Sequence, residues 1–93
     1  MALAWYKRAA EKGHLKAQHQ LAMMHRLGRG TEVDNEKMHY WLNRAAENNH
    51  PAAFNTLGHL YWAGETVEKD PEMARALFER SARLRADTSL MSA

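Results

Sequence analysis

The chain has 93 residues, 45% apolar and 26% charged, which is the balance of one small globular domain. A net charge of only +2 gives no argument for nucleic-acid binding, and the lack of cysteine excludes disulfides and thiolate metal sites. No stretch approaches the ~20 apolar residues of a membrane span. Met1 to Trp5, followed by Lys7 and Arg8, lacks the layout of a signal peptide. The expectation is a cytoplasmic protein if the chain is complete, and a periplasmic or secreted one if it is a processed fragment.

Five helices are predicted. Residues 2–12 form the first, closed by Gly13. Residues 15–27 form the second, with Ala17, Leu21 and Met24 on one face at helical spacing and Gly28 directly after. Residues 35–48 form the third, opened by Asp34 as N-cap, carrying Met38, Leu42, Ala45 and Ala46, and ended by Asn49. Pro51 opens the fourth, 51–63, with Ala53, Leu57, Leu60 and Tyr61 apolar and Gly64 following. Asp70 and Pro71 open the fifth, 71–84, with Met73, Leu77, Phe78 and Ala82. Residues 86–93 show no periodicity and are expected to be a frayed tail. No alternating apolar pattern supports a strand.

The chain repeats itself. Residues 5–13 (WYKRAAEKG), 41–49 (WLNRAAENN) and 77–85 (LFERSARLR) align at one offset of 36 residues without a gap. The same offset maps His14, Ala17, Leu21, Gly28 and Asp34 onto His50, Ala53, Leu57, Gly64 and Asp70. Small residues (Ala9, Ala10, Ala22, Ala45, Ala46, Gly58, Ala82) recur where helices would cross. Helix pairs at a constant period stack as a solenoid. The expected organisation is one repeat domain over 1–93: a half repeat at 2–13, repeats at 14–49 and 50–85, and the tail.

The pattern Ala17, Leu21-Ala22, Gly28-x-Gly30, Asp34, Trp41, Arg44-Ala45-Ala46-Glu47 resembles the Sel-one-like repeat, a relative of the tetratricopeptide repeat. The second copy reads Ala53, Leu57-Gly58-His59-Leu60-Tyr61, Gly64, Asp70, Ala74, Phe78, Ala82. Thr66 replaces the second loop glycine, His25 stands where a tyrosine is usual, and Ser81 replaces an alanine. These departures bear on loop shape and local packing, not on the fold. The resemblance implies an all-α, right-handed superhelix of antiparallel helix pairs serving as an adaptor or scaffold in protein complexes. Bacterial members have been linked to signalling, envelope processes and host interaction.

By analogy with the tetratricopeptide groove, the first helices expose Lys16, His19, Met23 and Arg26, and one repeat on Asn55, His59 and Trp62. A Trp beside Met, with cations around them, would suit an extended protein or peptide partner. The alternative role is assembly through self-association. The first predicted helix has no partner helix before it, so the face holding Leu3, Tyr6, Ala9 and Ala10 would lack part of its cover. Residues 1–30 carry a net +5 and residues 31–72 a net −5, a polarity that would steer head-to-tail contacts between chains.

Enzymatic chemistry is not expected. The six histidines show no i, i+4 pair and no His-Glu-x-x-His motif, so no metal is assigned. Gly28-Arg29-Gly30 is the repeat's own turn and no nucleotide fingerprint is present, so no cofactor is assigned either. The carboxylates recur with every repeat, as caps and solvated surface do. Trp5 and Trp41 occupy equivalent positions, and both are expected to pack.

Overall fold

In a computed structural model of the chain, the backbone of residues 2–92 and the side chains of residues 3–86 are described. Five helices follow in order: α1 (Ala2–Glu11), α2 (Leu15–Leu27), α3 (Asn35–Glu47), α4 (Pro51–Ala63) and α5 (Pro71–Ser92). No strand occurs among the described residues. The chain divides into two compact units, Met1–Asn48 with α1 to α3 and Asn49–Ala93 with α4 and α5. In the first, α2 packs on both α1 and α3; in the second, α4 packs on α5.

The turns explain why the helices stop where they do. Gly28 and Gly64 both take φ of 70°, and their N–H groups donate to the carbonyls of Met24 and Leu60. The same two carbonyls accept from the next residues, Arg29 and Glu65, each at 3.0 Å. This satisfies acceptors that the helix end would leave open. The chain then turns back, and the amides of Asp34 and Asp70 donate to the carbonyls of His25 and Tyr61, each at 2.9 Å. Both aspartates are the expected caps: their Oδ1 atoms accept from the amides of Lys37 and Met73 at 3.1 Å. One such cap contributes about 1 kcal/mol.

Thr66 stands where the preceding repeat has Gly30, and it adopts the same left-handed backbone, φ 65° against 73°. A β-branched residue there is strained. The loop therefore keeps its shape despite the loss of glycine, and Thr66 bears the cost.

Packing in the first unit centres on Ala10, Leu21, Ala22, Met38, Leu42 and Ala45, all buried. Gln18 is fully buried among them, and its Nε2 donates to the Ala10 carbonyl at 3.0 Å, tying α2 to the end of α1. Its counterpart in the second unit is Phe54, an ordinary core residue that Arg80 covers, 5.3 Å from the ring centroid. Ser81 explains its own departure from alanine. Buried, it donates through Oγ to the Pro51 carbonyl at 2.9 Å, fastening α5 to the start of α4.

Three expectations need correction. Helix α5 does not end near residue 84 but continues to Ser92. After Leu84 the sequence holds no glycine, asparagine or proline to stop it, unlike the ends of α2, α3 and α4. Met24 and Tyr61, expected on the core-facing apolar stripes of α2 and α4, are only half-buried. Trp41 is buried as expected, at 8% exposure, but the equivalent Trp5 is 71% exposed. Trp5 projects from a side of α1 that no helix among the described residues covers. Of the face expected to be open, Ala10 is fully buried, while Leu3, Tyr6 and Ala9 are half-buried.

Ala22 and Leu42, both buried in the first unit, correspond at the 36-residue offset to Gly58 and Phe78 in the second. A Cβ on Gly58 would lie 2.8 Å from the Phe78 ring, so the glycine makes room for the larger side chain. Gly58→Ala, which in an open helix adds up to about 1 kcal/mol, should here lower stability by a net ~1 kcal/mol or more. Phe78→Leu in the same chain should recover that loss by restoring the Ala–Leu pair. Thermal melts of the single and double variants measure the coupling, and additive effects would refute this account.

Candidate partner-binding site

The seven residues expected to meet a partner fall on α2 in the first unit and on α4 in the second. On α2, Lys16 is exposed, whereas His19, Met23 and Arg26 are half-buried. On α4, Asn55 is half-buried, while His59 and Trp62 are exposed. Each unit gathers only some of them.

In the first unit, Met23 lines a cleft of about 520 Å³ between α1 and α2. Its walls are Leu3 and Tyr6 from α1 and Gln20, Met23, Met24 and Leu27 from α2, with Arg29 and Gly30 of the following turn at its edge. Leu27 is 54% exposed, so an aliphatic side chain stands open at the end of α2. Lys16, His19 and Arg26 do not line this cleft.

In the second unit, His59 and Trp62 line a pocket of about 600 Å³, completed by Pro71, Glu72, Arg75, Phe78 and Glu79 of α5. The His59 ring meets Phe78 edge-on at 5.0 Å. Arg75 Nε pairs with Glu79 Oε1 at 3.2 Å on the exposed rim. Asn55 lies outside this pocket.

Sequence reasoning missed the wall that the second helices supply. Leu3 and Tyr6 were expected on a face short of cover but were not joined to Met23 as one cleft, and nothing in the spacing of Phe78 showed that it borders a pocket. The swap of Ala22–Leu42 for Gly58–Phe78 was the available signal, since it brings a large ring beside His59.

The charged surface of α3 forms its own cluster. Arg44 donates from Nη1 to the Tyr40 hydroxyl at 2.8 Å and lies 5.8 and 5.7 Å from the Tyr40 and Trp41 ring centroids. Such stacking steadies an exposed guanidinium. Among the described residues, no group of three histidines or carboxylates is placed to hold a metal ion. No helix among them is long and apolar enough to cross a membrane.

His25 takes the packed aromatic's place. It is buried, and its Nδ1 has no hydrogen-bond partner among the described residues. Burial pushes its pKa below the usual histidine value; Lys37 and Lys7 push the same way, and Asp34 opposes them. Burial also lowers the pKa of His50, whose backbone carbonyl accepts from Ala53 at the start of α4.

Two open apolar surfaces on a short array of helix pairs define a helical-repeat scaffold. The Sel1 repeat family model matches residues 1–14, 15–50 and 55–85, and the chain belongs to that family. A Sel1 repeat protein from Oxalobacter formigenes is 35% identical, with a TM-score of 0.79 over 86% of this chain and 60% of that one. A protective antigen from uropathogenic Escherichia coli strains, displaying an SLR fold, is 34% identical, with a TM-score of 0.80 over 87% of this chain and 17% of that one. This chain thus spans less than two thirds of either protein's length. No curated protein matches it. The fold is accordingly an all-α helical repeat solenoid, and Sel1 repeat proteins generally mediate protein–protein interaction.

The state of His25 gives a pH dependence. Its folded pKa lies below 6.5, so the unfolded chain binds the proton more readily. The stability this contributes is full above pH 6.5 and is lost as pH falls through the folded pKa. His25→Tyr, the residue of the second repeat at Tyr61, should flatten the fall in unfolding free energy below that pH. The remaining slope belongs largely to His50. Denaturant melts at several pH values test this, and an unchanged slope would contradict it.

Proposed function

We propose that the protein is a non-enzymatic adaptor that holds a segment of another protein on its first helices, α2 and α4. One observation carries this reading: the cleft between α1 and α2 is apolar and open, and Met23, Met24 and Leu27 line it. Methionine adapts its shape to a partner, and open apolar clefts of this size suit an inserted side chain. Lys16, His19 and Arg26 on the same helix supply polar contacts around that anchor. Asn55, His59 and Trp62 form the corresponding surface of α4.

This reading predicts that Met23→Glu and Leu27→Glu each weaken partner capture by about tenfold or more while helical content and melting stay near wild type. Val33→Glu, a change at an exposed loop residue outside the cleft, should leave capture intact. The measurement is cross-linking from a photoreactive residue at position 27, followed by titration of the captured protein. Equal affinity for all three variants would dismiss the cleft.

A further inference from the structure

Trp5 is the largest exposed apolar side chain of α1, and the repeat itself shows how such a residue is used. Trp41, one period on, is 8% exposed, whereas Trp5 is 71% exposed. Around Trp5 lie Arg8 and Ala9 of α1 and Lys12 of the turn after it. The spacing i, i+3, i+4 sets Trp5, Arg8 and Ala9 on one helix face, and Lys12 continues it. This stripe combines an indole anchor with two cations.

The pocket of the second unit has the complementary character. Its walls are the rings of His59, Trp62 and Phe78, with Pro71. Its rim carries Glu72 and Glu79, and its single cation, Arg75, is already paired with Glu79. The whole units differ in the same sense, with cations in excess over residues 1–48 and acids over 49–93.

We propose that this pocket takes α1 of a second copy of the chain, with Trp5 inserted between the rings and Arg8 and Lys12 facing the carboxylates. The donor and acceptor surfaces are different, so the contact is heterologous and joins the first unit of one copy to the second unit of another. Aromatic insertion supplies the anchor, and the charges set orientation and rate. The contact leaves the α1–α2 cleft of the acceptor copy free but occupies His59 and Trp62, so it competes with a partner on α4 and not with one held in that cleft.

Sedimentation velocity on the full chain, from micromolar to near-millimolar concentration at low salt, tests this. Wild type should associate with rising concentration, and added salt should weaken it. Trp5→Ala and Trp62→Ala should each weaken association by about tenfold or more, with unchanged circular dichroism because both side chains are exposed. An equimolar mixture of the two variants should associate again, since one keeps the pocket and the other keeps α1. Arg8→Glu should weaken association, and Met23→Glu should not. A wild-type monomer throughout, association unaffected by either tryptophan change, or a mixture that stays monomeric would overturn the proposal.

Discussion

Everything in this protein rests on one closed turn, made twice. A glycine in the left-handed region ends the first helix of each pair, and an aspartate amide then donates back to a carbonyl of that helix at 2.9 Å. The aspartate side chain caps the helix that follows. The turn fixes where the second helix begins, and so which of its residues meet the first. The loops agree in hydrogen-bond partners and lengths at an offset of 36 residues. That agreement is the physical content of the sequence repeat.

The constraint is strong enough to hold a residue that disfavours it. Thr66 takes the left-handed conformation because the bonds on either side demand it. The core is more permissive. Ala22–Leu42 becomes Gly58–Phe78, Gln18 answers to Phe54, and Ser81 finds the Pro51 carbonyl. Backbone geometry is conserved between the repeats while side-chain volume and polarity are exchanged within them.

This division also decides what could be read from the amino acids. Turns, caps and helix starts were legible, because glycine, aspartate and proline act locally. Burial was legible only where neighbours were implied by the period. Trp5 and Trp41 share a sequence position but not a surrounding, so equivalence misplaced Trp5. Nothing in the sequence marks Gln18 as buried; packing of α1 on α2 encloses it, with its amide bound to the Ala10 carbonyl. The site was half legible. Met23, His59 and Trp62 stand at open clefts, but the opposite walls come from second helices, whose outward faces spacing alone does not distinguish. The extension of α5 went unread because an absent stop signal is harder to see than a present one.

The proposed adaptor role rests on these surfaces. The Sel1 repeat supplies pairs of helices, and the side chains along them shape the clefts. In this chain those are a methionine-lined cleft in one unit and an aromatic pocket with an acidic rim in the other. The account depends first on the turns being closed in solution. Native-state hydrogen exchange of the Asp34 and Asp70 amides tests this most directly. Both should be strongly protected, exchanging far more slowly than the exposed loop amides of Glu32 and Glu68. Exchange of either aspartate amide at the rate of an open loop would contradict the account.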